Sequence, residues 1–184
     1  YGGEGRLGLG DEMDRLVPTE VVSLKDTVVK TVVCGELHSA ALSEDGLLYT
    51  WGLGKDGRLG LGQRESVMTP KLLESLQHTP IKQVSCGGLH TVKLSLIFKY
   101  PQAAVTESGE VFTWGFGKHG RLGLGDELDR LEPMKVNLPA MVFVACGGHH
   151  TGAIDPAGRV FTWGFDDDGR LGHLETGHRL VPTL

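Results

Sequence analysis

Apolar and polar positions along this chain alternate in short runs, not at helical spacing. Residues 28–34, 38–43 and 47–51 are runs of five to seven residues rich in Val, Ala, Leu and Thr, the length and make-up of β-strands. The second and third flank Glu44-Asp45-Gly46, whose glycine supplies the positive φ of a tight hairpin turn. Glu107-Ser108-Gly109 and Asp155-Pro156-Ala157-Gly158 stand at equivalent places, so the hairpin is predicted to recur. Each third strand leads into a glycine-rich loop and a charged connector such as Asp11-Glu12-Met13-Asp14-Arg15 or Asp126-Glu127-Leu128-Asp129-Arg130. A proline follows, at Pro18, Pro70, Pro133 and Pro182, and then a short apolar run such as Glu20-Val21-Val22, expected to form a fourth, edge strand. The nearest approach to a 3.6-residue apolar period is the short segment 71–77, so a helical solenoid is disfavoured. The fold class expected is all-β.

Three markers recur in constant order. Gly5-Arg6-Leu7-Gly8-Leu9-Gly10 returns unchanged at Gly57 and Gly120, and in part as Gly169-Arg170-Leu171-Gly172, at spacings of 52, 63 and 49 residues. Cys34-Gly35-Glu36-Leu37-His38 matches Cys86-Gly87-Gly88-Leu89-His90 and Cys146-Gly147-Gly148-His149-His150. Leu48-Tyr49-Thr50-Trp51-Gly52 matches Val111-Phe112-Thr113-Trp114-Gly115 and Val160-Phe161-Thr162-Trp163-Gly164. Four short strands in about 50 residues are the period and content of a propeller blade.

Together, C-G-x-x-H, apolar-x-x-W-G and G-x-L-G-x-G at this spacing closely resemble the repeat of the regulator of chromosome condensation family. The resemblance covers essentially all 184 residues and implies a seven-bladed β-propeller of roughly 350 residues. This chain then holds about three and a half four-stranded blades, a partial propeller. The units expected are 1–50 (a blade remnant plus a blade), 51–113 (a blade with an insertion), 114–162, and 163–184 (a partial blade). The chain begins at Tyr1, not Met, and is expected to need the remaining blades of a longer protein, or another copy, to close a ring.

The recurring residues are expected to be structural. Glycine, at 28 residues, marks turns and close backbone approaches counted once per blade. A phosphate cradle is disfavoured, because connector and proline, not a helix, follow each loop. Arg6, Arg58, Arg121 and Arg170 are expected to brace each loop against carboxylates such as Asp11, Asp126 and Glu175, or to bridge to a neighbouring blade. Trp51, Trp114 and Trp163 are expected to pack between blades. His38, His90 and His150 are read as hydrogen-bonded structural histidines and the cysteines as small half-buried residues. Cysteine and histidine occur once per blade, displaced around the ring, so no metal site is expected. The run Asp166-Asp167-Asp168 does not match a calcium loop and reads as an acidic rim. No cofactor site and no catalytic constellation such as G-x-S-x-G or H-E-x-x-H is visible, and no catalytic residue is assigned. Photoreceptor members of the family carry tryptophan in the histidine motif, where this chain has Glu36, Gly88 and Gly148, which argues against photoreception.

One irregularity breaks the period. Cys34 to Trp51 and Cys146 to Trp163 each span 17 positions, but Cys86 to Trp114 spans 28, an excess of 11. The extra residues can be placed as 93–103 or 96–106. As a real element they would lengthen a hairpin and push Ile97, Phe98, Lys99 and Tyr100 outward as partner contacts. In the family's chromatin-associated exchange factor a protruding insertion helps engage the small GTPase Ran, so the resemblance suggests the same class of partner. The duller reading is 33 translated intron nucleotides, with an intron start at Val92-Lys93 and an end at Pro101-Gln102.

Composition narrows the partners. Eighteen basic against 23 acidic residues give a net charge of −5, which argues against direct nucleic-acid binding. Apolar stretches of a few residues, such as 96–98 and 141–146, exclude membrane insertion through a helix. Three cysteines and a single asparagine outside any sequon fit a reducing compartment, hence a cytoplasmic or nuclear location, or both. The function expected is a non-enzymatic protein-interaction module of a larger regulatory or scaffold protein. The alternatives are a guanine-nucleotide exchange factor for a Ran-like GTPase, and an accessory propeller of a ubiquitin ligase or lipid-binding signalling protein.

Overall fold

The computed structural model describes residues 1–87 and 101–184. The apolar runs form β1 (Val29–Cys34), β2 (His38–Ser43) and β3 (Leu48–Gly52), completed by β4 (Val67–Leu72). The second sheet is β5 (Ile81–Cys86), β6 (Pro101–Thr106), β7 (Val111–Gly115) and β8 (Arg130–Lys135); the third is β9 (Phe143–Cys146), β10 (His150–Ile154), β11 (Val160–Gly164) and β12 (Arg179–Thr183). Each is an antiparallel meander with strands in chain order. They are three blades of a partial β-propeller. β3 and β7 end on the Trp-Gly pair, and the outer strand of each sheet comes only after the glycine-rich loop.

The fourth strand encloses the proline instead of following it. Thr50 pairs with Lys71 but Gly52 with Val67, so Met68, Thr69 and Pro70 bulge opposite Trp51. The same bulge places Pro133 opposite Trp114 and Pro182 opposite Trp163. An edge strand at a bulge tolerates a residue that cannot donate to the ladder. The fourth strand expected around Glu20-Val21-Val22 does not form; Val22–Leu24 makes a single 3-10 turn. Residues 15–20, Arg-Leu-Val-Pro-Thr-Glu, resemble the β8 sequence Arg-Leu-Glu-Pro-Met-Lys, but among the described residues no third strand lies beside them, and Leu16 is fully exposed. An outer strand takes its ladder from its neighbour and has none without it.

The core lies between the sheets. All six residues of β2 and of β6 are buried. One cluster joins Leu42, Leu48, Leu73 and Ile81 to Trp114; a second joins Val105, Val111, Met141 and Val144 to Trp163. Each sheet thus buries its apolar face against the next, as stacked repeats must.

Ladder register places the insertion. Pro101 pairs with Gly115 as His38 pairs with Gly52 and His150 with Gly164. Gly87 N–H donates to the Pro101 carbonyl at 3.1 Å, as Gly35 does to His38 at 2.9 Å and Gly147 to His150 at 2.8 Å. Two residues separate glycine from the first strand residue in the other sheets and thirteen do so here, so the excess precedes β6 entirely. Neither expected placement holds, because residues 103–106 are fixed between β5 and β7. The turn before Val111 keeps its ordinary length, so the β6–β7 hairpin is not extended. Ile97, Phe98, Lys99, Tyr100 and His90 lie outside the described residues.

Candidate functional site

Because no unique constellation stands out from the repeat, the site must be built from the loops that the repeat holds rigid. The threonine before each tryptophan binds its own loop: Thr50, Thr113 and Thr162 donate Oγ1 to the carbonyls of Leu59, Leu122 and Leu171, each at 2.7 Å. The tryptophan binds the loop of the preceding blade. Trp51 Nε1 donates to Arg6 O at 2.9 Å and Trp114 Nε1 to Arg58 O at 3.1 Å. Trp163 departs from this: Thr151 Oγ1 donates to the Arg121 carbonyl at 2.8 Å, as Ser39 Oγ does to that of Arg6 at 2.9 Å, but the buried indole nitrogen has no partner among the described residues. Gly60 lies beneath Trp114 at φ +72°, and a methyl there would sit 3.0 Å from the indole nitrogen; here glycine is required by both backbone and contact.

The arginines do not pair with the carboxylates expected. Asp11 and Asp126 bind Arg15 and Arg130 within their connectors, both at 2.6 Å. The Arg15 guanidinium, followed by the Met13 N–H, holds the Asp11 carboxyl below its usual range. The motif arginines are fixed by carbonyls instead. Arg6, Arg58 and Arg121 each donate Nε to the residue three places earlier, Gly3, Lys55 and Lys118, at 2.7–2.9 Å. Arg6 then crosses to Glu36 O at 2.6 Å, and Arg121 to Gly148 O at 3.0 Å, so the arginine bridges to the C-G-x-x-H loop of the next blade. Arg58 also lies 3.4 Å from Asp56 and is buried with it. Arg170 pairs with Asp168 in its own loop.

His38 is buried and its Nε2 lies 2.6 Å from the Gln102 amide nitrogen in the next sheet. The ring accepts this bond as neutral imidazole; burial first, and then the Arg58 charge, bring its pKa down to about 4. A methyl on Gly35 would strike the His38 ring, and one on Gly147 the His150 ring, so these two positions take glycine to admit the histidine. Cys34, Cys86 and Cys146 end the first strands of successive sheets and are free thiols. They form a row: burial, then Cys146 and Cys34 nearby, push the Cys86 thiol well above its ordinary value, and burial pushes Cys146 up to about 12. Such thiols are poor nucleophiles. Among the described residues no three His, Cys, Asp or Glu side chains are grouped to hold a metal ion, and no helix is long and apolar enough to cross a membrane.

The aspartate run is an acidic rim only in part. Asp167 and Asp168 are exposed, but Asp166 is buried, accepting the Leu171 N–H at 3.0 Å. Sequence reasoning also missed a cluster around Phe165. Its ring centroid lies 4.8 Å from His119, 4.7 Å from His178 and 5.7 Å from His149, with Arg170 over it at 4.7 Å. The doubled His149-His150 was its one visible signal.

Comparison with known proteins agrees with this geometry. The family model described as the regulator of chromosome condensation (RCC1) repeat matches residues 1–42, 45–94, 108–154 and 157–184. The chain is 37% identical to the ultraviolet-B receptor UVR8 of Arabidopsis thaliana over 154 residues, 82% of this chain and 32% of that protein. It is 40% identical to the human probable E3 ubiquitin-protein ligase HERC4 over 178 residues, 95% of this chain and 16% of that protein. The solved structure of yeast RCC1 (Prp20) bound to Kap60 superposes with a TM-score of 0.77 at 23% identity, covering all of this chain and 42% of that one. The chain therefore spans less than half the length of each of these proteins. Repeat order, sheet topology and family match lead to one conclusion: the chain belongs to the regulator of chromosome condensation (RCC1) repeat family, as a protein-interaction fold of propeller blades.

Proposed function

We propose that these blades are an accessory propeller of a larger regulatory protein of the ubiquitin-ligase kind, in which they present rigid loops to a protein partner and do no bond chemistry themselves. The observation that carries this reading is the use of the repeated polar residues. Arginines, threonines and tryptophans hold one loop to the next, and what they hold is a set of exposed connectors such as 11–15 and 126–130. A rigid scaffold carrying exposed loops is how such folds recognise partners. The likeness to HERC4 along 95% of the chain supports a ligase as the setting. A pull-down with the full-length protein is expected to return a stoichiometric protein partner bound through these blades; no such partner would remove the reading.

Nucleotide exchange on a Ran-like GTPase is the second reading, supported by the shared fold of yeast RCC1 over the whole chain. It predicts accelerated release of labelled GDP from Ran, and no acceleration would eliminate it. Either reading fits a cytoplasmic or nuclear location, which imaging of the tagged full-length protein tests.

A further inference from the structure

Each seam between successive blades carries one side-chain pair at fixed repeat positions, and the pairs differ in chemistry. The residue before the second glycine of the turn is Glu4, Asp56 or His119, held at φ near +60°. It faces a connector residue of the following blade. At the first seam Ser66 donates to Glu4 at 3.0 Å. At the second, Asp56 and Asp129 are joined by Arg64, at 3.9 and 3.4 Å. At the third, His119 and His178 meet as two imidazoles, edge to face, 4.7 Å between centroids.

His178 also replaces a carboxylate. Asp14 and Asp129 accept the N–H of Gly2 and Gly117, twelve residues earlier, at 2.7 and 3.1 Å. His178 Nδ1 stands in that role for the Asp166 N–H at 3.3 Å. Around the third seam the turn contributes Lys118, His119 and Arg121, and the connector after it contributes Glu127. The start of β10 brings His149 and His150, and the last loop brings Asp166, Asp167 and Arg170. Asp168 is committed to Arg170. Asp167 lies 3.8 Å from His178 Nδ1.

We propose that the seam between the second and third blades is a proton-sensitive joint: on acidification, imidazolium at His119 meets the His178 ring, where the second seam presents the Asp129 carboxylate, and the loop at residues 165–170 parts from the turn Lys118–Gly120, while the Arg64-bridged seam stays closed. Burial, then His178 and Arg121, hold His119 below its ordinary value, and burial and Arg121 bring His149 to about 4. Both favour the neutral, closed form. The sign follows: closure is complete above about pH 6.5, the ordinary imidazole value, and is lost as pH falls through the lowered range of His119.

Hydrogen exchange on the 184-residue chain at low micromolar concentration, at pH 7.5 and 5.0 with intrinsic rates corrected, tests this. The amides of Gly120, Phe165 and Leu171 are expected to lose about tenfold in protection at pH 5.0, and those of Gly57 and Gly60 at the Arg64 seam to change little. The variant His178→Asp restores the carboxylate found at Asp14 and Asp129, so His119 imidazolium gains a partner and the acid-induced loss disappears. Unchanged protection in the parent chain, an equal loss at both seams, or the same loss in His178→Asp would each overturn the proposal.

Discussion

The indole nitrogen of Trp114, at the end of one sheet, donates to the carbonyl oxygen of Arg58, in the loop of the sheet before it, at 3.1 Å. This contact ties consecutive repeats together and gives a direct test of how much each part contributes. Trp114→Phe keeps most of the packing and loses the bond, and is expected to cost about 1 kcal/mol. Trp114→Ala opens a cavity between sheets and is expected to cost about 3–5 kcal/mol. Urea unfolding of the two variants measures both, and equal losses would show that packing is not the larger share.

Thr113 closes its loop from within the blade. Thr113→Val removes the hydroxyl that satisfies the Leu122 carbonyl and leaves a buried acceptor unpaired, with an expected loss of about 1–3 kcal/mol. Exchange of the amides in residues 118–123 should rise more than exchange in β6, which a global loss of stability would not produce.

His38 makes stability depend on pH. Its pKa in the fold is about 4 against about 6.5 unfolded, so the unfolded chain takes up a proton that the fold excludes. Its contribution is full above pH 6.5 and falls as pH drops toward 4, by about 3 kcal/mol in all. His38→Asn removes this dependence. The difference in urea midpoint between parent and variant should therefore shrink between pH 7 and pH 4; a constant difference would show that His38 is not buried neutral.

The hairpins, the glycine turns and the sheet repeat were legible in the sequence because strand runs and turn residues are local signals: Gly46, Gly109 and Gly158 all carry the positive φ that their turns imply. The partners of Arg6 and Arg121 were not. They are backbone carbonyls, which leave no trace in residue identity, and the nearby aspartates drew attention to pairs that the connectors keep for themselves. The insertion was ambiguous because residues 90–95 and 104–109 each resemble part of the same repeat. Only the second is continuous with the turn at Gly109, and the pairing of Val105 with Val111 decides it. Segment 15–20 shows the converse limit, since its sequence resembles that of an outer strand but no strand lies beside it among the described residues.

The insertion makes a prediction at the level of the transcript. If the extra residues are translated intron, the mature message lacks 33 nucleotides between Val92-Lys93 and Pro101-Gln102, and the span from Cys86 to Trp114 falls from 28 positions to the 17 of the other repeats. A message that retains them keeps Ile97, Phe98, Lys99 and Tyr100 as candidate contacts. Sequencing the transcript decides between the two.

The outer face of the third sheet exposes Phe143 and Val160, as a blade without a following neighbour would. Expressed alone and concentrated, the chain is expected to self-associate, and size-exclusion chromatography with light scattering should show mass rising with concentration. A monodisperse monomer with a cooperative melt would contradict this.

Cross-linking mass spectrometry on the full-length protein, purified with what it binds, shows whether the exposed loops of this scaffold meet a protein partner. A stoichiometric partner is expected, linked to the connector acids Asp11, Glu12 and Glu127 and to Lys118 in the turn before the second of these connectors, and not to the sheet edges. Purification with no stoichiometric partner, or cross-links confined to regions outside these blades, would contradict it.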